Sequence, residues 1–286
     1  MTTPAMDMPR AVHFLDGEWI EGNPPIMGPM THAAWMASVV FDGARAFEGV
    51  TPDLDLHCER LVHSAETFGL GVVHSAGEML ELARDGLKHF DKDAALYLRP
   101  MLFAERGFVD CDPESTRFCF TIYEAPLPPG DGFSVCLSSF RRPMQSMAPT
   151  DAKASCLYPN SARALREASK RGFENAVVLD ALGNVAELAT ANIWIAKDGA
   201  AFTPVPNGTF LNGITKQRVQ MLLGERGIPV HEKQVTWQEV MAADEVFSTG
   251  NYGKVIPITQ VEDRALQPGP ICAAAREAYW TWAHGG

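Results

Sequence analysis

The chain has 286 residues, with 35 acidic against 24 basic side chains and a net charge of −11. Its hydrophobic fraction of 46% and charged fraction of 21% fit a globular protein with room for one large domain or two ordinary ones. The acidic balance and the lack of a basic run exclude nucleic acid as an expected partner and disfavour a membrane surface, and no apolar stretch nears the roughly 20 residues that span a bilayer.

The opening "MTTPAMDMPRAVHF" shows no charge–apolar–cleavage pattern of a targeting signal. "AVHFLDGEWIEG" reads as a hairpin turning at Asp16-Gly17. "ERLVHSAETFGL" has apolar residues at helical spacing and Gly69 as a stop, and "AGEMLELARDGLKHF" is a second amphipathic helix. "AALYLRPMLFAER" and "RFCFTIYEAP" read as strands. "APLPPGDGF" packs three prolines and two glycines into nine residues and predicts a linker. The expected division is a small N-terminal domain 1–124, a linker 125–133 and a large C-terminal domain 134–286. Past the linker, "SVCLSSFRR" is a strand and "NSARALREASKRGF" a helix with Pro159 just before it and Gly172 at its end. "NAVVLDALGNVAELATANIWIAKDGAAFTPV" gives successive strands turning at Leu182-Gly183-Asn184 and Asp198-Gly199. "TKQRVQMLLGERG" is a helix, "DEVFSTGNYGKVIPITQVEDRAL" alternates strand and turn, and "PICAAAREAYWTWAHGG" closes as a helix. Two segregated groups of strands and helices argue for α+β domains on either side of the linker.

Local motifs do not name a chemistry. There is no Walker loop, GxGxxG, HExxH or GxSxG. The six cysteines form no CxxC pair and the eight histidines no ligand spacing, so no metal is expected. Free thiols suit a reducing cytoplasm. Lys153 stands alone in "TDAKASCLYPNS", where a lysine is ordinarily a solvated charge. Gly213 in "LNGITKQRV" precedes a helix, whose free N–H groups attract anions, though a plain turn reads the same way. Glu187 in "NVAELATANIW" is either paired among apolar neighbours or a strand end facing water. Tyr97 and Arg99 in "LYLRPM" share one strand face, and Arg60 in "LHCERL" would ordinarily be a solvated helix charge.

In order, these pieces resemble the class IV, pyridoxal-phosphate-dependent aminotransferases, and most closely the branched-chain amino acid aminotransferases. The resemblance runs from about Phe14 to about Gly269. It implies fold type IV, with two α/β domains joined by a short linker, and a homodimer whose active sites lie between domains and are shared between subunits. It implies pyridoxal 5'-phosphate as cofactor, with an amine donor and a 2-oxo acid acceptor in ping-pong exchange. Lys153 matches the lysine bonded to the cofactor, Arg60 the arginine on its phosphate, and Glu187 the carboxylate on its pyridine nitrogen. Tyr158 matches the tyrosine on the phenolic oxygen, and Ile214 and Thr215 the amides of the phosphate-binding helix. Thr249, Gly250 and Asn251 fall in a turn that helps bind phosphate. Met36, Phe41, Tyr97, Arg99, Asn251 and Tyr252 fall at substrate-facing positions.

Two stretches depart from the family pattern. Where branched-chain enzymes carry "HYGxxVFEG" this chain has "AWMASVVFDG", with Met36 for tyrosine and Asp42 for glutamate. Where they carry "GTAAE" it has Asn251 and Tyr252 within "STGNYGKV". These changes open the alternative of an (R)-selective amine:pyruvate transaminase, with D-amino acid transaminase, aminodeoxychorismate lyase and a non-catalytic binding protein behind it. Arg141 and Arg142 are further candidates for a substrate carboxylate.

Overall fold

The computed structural model describes residues 9–285, so residues 1–8 of the stretch searched for a targeting pattern lie outside the described residues. The chain forms two compact units. One runs through Leu127 and takes in Ala152–Cys156, and the other comprises Pro128–Asp151 and the chain from Leu157 onward. The segment carrying Lys153 therefore groups with the N-terminal sheet, although the expected boundary left it in 134–286.

The first unit contains β1 (Ala11–Leu15), β2 (Glu18–Glu21), α1 (His32–Met36), β3 (Val39–Phe41), β4 (Ala44–Ala46), α2 (Leu54–Phe68), α3 (Ala76–Leu87), β5 (Leu96–Ala104) and β6 (Thr116–Glu124). Asp16 and Gly17, with φ of 51° and 93°, make the left-handed turn whose twist suits a tight hairpin between β1 and β2. The sheet is antiparallel in the order β2-β1-β6-β5-β3, with β4 also on β5. Alternate residues Leu96, Leu98 and Leu102 of β5, with Phe118, Phe120 and Ile122 of β6, pack against Leu61, Ala65, Met79 and Ala83 of α2 and α3. Each fully buried leucine here contributes about 2 kcal/mol. Ser75 and Glu78 form a capping box at the start of α3, and Gly69 in the left-handed region ends α2. Ala152 and Ala154 enter the same core, and Ala154 bridges Val40 as an antiparallel partner. That non-local pairing is why Ala152–Cys156 belongs to this unit.

The second unit contains β7 (Phe133–Arg141), α4 (Tyr158–Lys170), β8 (Asn175–Leu179), β9 (Val185–Leu188), β10 (Asn192–Lys197), β11 (Ala200–Pro204), α5 (Ile214–Glu225), β12 (Val230–Lys233), α6 (Trp237–Ala242), β13 (Glu245–Gly250), β14 (Lys254–Val261), β15 (Arg264–Ala265) and α7 (Pro270–Ala283). Its mixed sheet has the order β12-β11-β10-β13-β14-β7-β8-β9, with β15 on β14. Val135, Val177, Leu188, Ile193, Val246 and Ile258 share one core although their strands are spread along that order, so the sheet curls over them. Helix α4 begins at Tyr158, which puts Pro159 inside its first turn, where a missing N–H costs no helical hydrogen bond. Among the described residues no helix is long and apolar enough to cross a membrane. No group of three or more His, Cys, Asp or Glu among them could hold a metal ion.

Candidate active site

In the first unit the polar centre is Asp42, which is fully buried. Its Oδ1 accepts from the Gly43 N–H at 2.7 Å and lies 2.6 Å from His57 Nδ1. Arg60 grips both oxygens, with Nε 2.7 Å from Oδ2 and Nη2 2.8 Å from Oδ1. Helix α2 sets His57 and Arg60 one turn apart, on the face that meets Asp42. Burial opposes the charge on Asp42, but the Arg60 guanidinium and the His57 ring outweigh it and hold the carboxyl well below the usual carboxylate range. Arg60, with a side chain 17% exposed, is therefore a fixed guanidinium rather than a solvated helix charge.

Lys153 is held by its backbone. Its N–H donates to Ser64 Oγ of α2 at 3.1 Å, and its carbonyl accepts from the Phe41 N–H at 3.1 Å. Its Nζ lies 5.0 Å from the centre of the Phe41 ring. On β5, Tyr97 stacks on Tyr123 at 5.4 Å. A methyl group on Gly43 would come within 2.1 Å of the Tyr97 hydroxyl, so this close approach requires glycine. Arg99, on the same strand face, lies over the Tyr123 ring at 5.6 Å, and no carboxylate among the described residues pairs with it. Met36 ends α1, and Ala37 after it has a φ of 56°.

In the second unit Glu187 sits on β9 with a side chain only 13% exposed, and its Oε1 lies 3.2 Å from Arg142 Nε. Arg142 also donates to the Thr209 carbonyl at 3.0 Å. Arg142, read from the sequence as a candidate for substrate carboxylate, is thus buried against Glu187. Arg141 donates to the Asp180 carbonyl instead. Tyr158 is the exposed first residue of α4.

Helix α5 starts at Gly213-Ile214-Thr215 with no side-chain cap and no acidic residue in its first turn, so its leading N–H groups are left for another acceptor. A methyl on Gly213 would come within 2.1 Å of Asn192 Oδ1. Asn192 is the cross-strand partner of Thr249, so the helix start stands by the end of β13. Thr249 is fully buried and its Oγ1 accepts from Trp194 Nε1 at 2.9 Å. In the turn that follows, Asn251 Oδ1 accepts from Lys254 Nζ at 2.7 Å. Asn251 Nδ2 is buried with no acceptor among the described residues. Gly250, Tyr252 and Lys254 help line a cavity of about 630 Å³, and Tyr252 is 62% exposed.

Several of these groups have no signature in the sequence. His57 and the buried lysines Lys216 and Lys254 carry no motif, although the one-turn spacing of His57 and Arg60 was available as a signal. Burial pushes the thiols of Cys58 and Cys272 up to about 12, which keeps these two in the unreactive thiol form. What the two units do offer is donors suited to an anion, a buried carboxylate anchored by an arginine, and a lysine with a fixed backbone.

Residues 39–261 match the family described as amino-transferase class IV. A branched-chain-amino-acid aminotransferase of Pseudomonas aeruginosa is 32% identical, over 94% of this chain and 92% of its own length. The crystal structure of an aminotransferase from Brucella abortus, bound to its co-factor PLP, superposes with a TM-score of 0.95 at 49% identity, covering 96% of this chain and 100% of that one. The branched-chain aminotransferase of Thermoproteus uzoniensis with norvaline gives a TM-score of 0.90 at 31% identity, over 96% and 95% of the two chains. With helices and mixed sheets in two units and a family match across most of its length, the chain belongs to the class IV aminotransferases.

Proposed function

We propose that this transaminase moves an amino group between a branched-chain amino acid and a 2-oxo acid, with pyridoxal 5'-phosphate as its cofactor. The observation that carries the reading is similarity to branched-chain aminotransferases along almost the whole chain. The residues fit the cofactor. In the second unit a phosphate dianion would find donors in the uncapped N–H groups at Ile214 and Thr215 and in the Asn251 amide beside Thr249 and Gly250. In the first unit the Arg60 guanidinium is a donor of the same kind. Glu187, anchored by Arg142, is the carboxylate for a protonated pyridine nitrogen, and Tyr158 is the donor for the phenolic oxygen.

When bound, the cofactor supplies an electron sink for the carbanion formed at the substrate carbon. Lys153 would hold the cofactor through its Nζ and, as a free amine, would carry the proton taken from the substrate carbon. Its pinned backbone limits where that amine can reach. Glu187 would keep the ring nitrogen protonated, and Arg142 keeps Glu187 in place. Arg99 and Tyr97 take the substrate carboxylate. Phe41 and Met36 offer apolar surface to an aliphatic side chain.

The working form is a cytoplasmic homodimer with shared active sites. The six free thiols suit a reducing compartment. The exposed pair Trp35 and Phe108, with ring centres 6.3 Å apart, suits a subunit interface. Met36 and Tyr252 favour a second reading, an (R)-selective amine transaminase, since both depart from the family pattern at substrate-facing positions.

A paired assay separates them. The purified protein is mixed with L-leucine or with (R)-1-phenylethylamine, and the cofactor's visible absorbance is followed. Change with leucine is expected. Change with the amine alone would replace the branched-chain reading with the amine one. Lys153→Ala should abolish turnover with either donor, and an active variant would overturn the mechanism.

A further inference from the structure

The turn 250–254 contains a pair of side chains that the family pattern does not account for. Lys254 is fully buried, and its Nζ lies 2.7 Å from Asn251 Oδ1. An ammonium has only donors, so the atom facing it must be the amide oxygen. The amide orientation is thereby fixed, and Asn251 Nδ2 must point the other way. There it is buried and has no acceptor among the described residues. A buried donor without an acceptor is destabilising, and the acceptor that completes it is a water or a ligand oxygen. Lys254 also holds a φ of 62°, a left-handed backbone that favours glycine, so nothing in the backbone itself recommends a lysine here. The surroundings suit an anion. Thr249 precedes the turn, its cross-strand partner Asn192 touches Gly213, and Gly213 opens the uncapped helix α5.

We propose that Lys254 is a positioning residue that locks the Asn251 amide so that its Nδ2–H groups face an anionic oxygen, either of the cofactor phosphate or of the substrate carboxylate. The inference rests on the transaminase reading above. It also explains a paired change. Where the family pattern reads "GTAAE", this chain reads "GNYGK", so threonine and glutamate give way together to Asn251 and Lys254. A glutamate at 254 would attract Nδ2 and turn Oδ1, an acceptor, toward the anion. A threonine hydroxyl at 251 can donate beside either neighbour.

The test uses the holoenzyme with Lys254→Glu, alone and combined with Asn251→Thr. Two quantities are read: the rate at which bound pyridoxal phosphate is lost on dilution, against affinity for pyridoxal, and KM against kcat for leucine. Lys254→Glu should speed cofactor loss or raise KM about tenfold, the effect of losing a charge-assisted hydrogen bond. Faster loss with pyridoxal affinity unchanged identifies the phosphate as the partner. Raised KM with kcat retained identifies the carboxylate. The double variant should recover to within about threefold of wild type, which a merely structural lysine would not allow. Single-variant values within about twofold of wild type, or a double variant no better than the single, would overturn the proposal. If Lys254→Glu does not fold, Lys254→Met replaces it, in the natural and Asn251→Thr backgrounds. A loss confined to the natural background supports the proposal, and equal losses overturn it. Failure of the transaminase reading looks different: the wild-type protein would bind no pyridoxal phosphate and leave leucine unchanged.

Discussion

At the turn Phe41–Gly43 both carboxylate oxygens of Asp42 are met from within the first unit, whereas at 250–254 the second unit leaves Asn251 Nδ2 without an acceptor among the described residues. Both turns depart from the family's pattern, and both bury a charged side chain. They differ in what the charge does. At Asp42 it is spent inside the protein, and its product is a guanidinium that cannot wander. At Lys254 it orients a neutral amide whose own donors remain to be used. A carboxylate whose oxygens are met within the protein reports on architecture, and at Asn251 the remaining donor is the one the proposal gives to a ligand.

The comparison is broken most directly at Asp42. Asp42→Ala leaves the Arg60 guanidinium without its counter-charge and the His57 ring without its partner, and removing one partner of such a buried pair costs about 3–5 kcal/mol. Urea unfolding measures this, and a loss below about 1 kcal/mol would mean the network is not structural. The acid limb of stability gives the sign. The native carboxyl is lowered from 3.8, so its contribution is complete above that value and is lost as pH falls below it. Asp42→Asn should therefore flatten the stability profile below pH about 4, while the wild type declines steeply there.

Glu187 tests the same distinction in the second unit. Its carboxylate is anchored by Arg142 and is proposed to serve the cofactor. Glu187→Gln should retain the cofactor and slow turnover by about 10²-fold or more, at the lower end of what a proton-holding group contributes. Arg142→Met should slow it in the same direction if the arginine acts by holding Glu187. Turnover unchanged in Glu187→Gln would remove Glu187 from the site and leave the ion pair as mere packing.

How far these features could be read in advance depended on how local they are. The β1–β2 hairpin was legible because Asp16-Gly17 states its own geometry. Helices α2, α3 and α7 were legible because each carries a periodic apolar face. Helix α6 is absent from the expected elements although Thr236 and Glu239 form a capping box, a signal present in "TWQE". The three-residue strands β3 and β4 exist because β5 pairs with them, and no local propensity announces that. Lys153 stood out only through family resemblance, since its place in the first unit comes from a bridge between Val40 and Ala154, far apart in sequence. The apolar neighbours of Glu187 leave pairing open as one reading, but the partners Arg142 and Lys254 are not marked in the sequence, because nothing there says which side chains will meet.

The smallest expected effect concerns backbone alone, and it sharpens the contrast between the turns. Ala37 holds a φ of 56° where the family's pattern has glycine, just before β3 leads into Phe41–Gly43. A Cβ in the left-handed region costs about 1–2 kcal/mol. Glycine would relieve that but lose about 0.5–1 kcal/mol through the freedom of the unfolded chain. Ala37→Gly should therefore stabilise the protein by about 0.5–1 kcal/mol, a rise in Tm of a few degrees. If stability rises and KM for leucine stays fixed, the alanine is a pure backbone cost and Met36 keeps its position without it. If KM shifts as well, the strained residue sets where α1 presents Met36, and the first turn takes part in substrate choice as the second is proposed to.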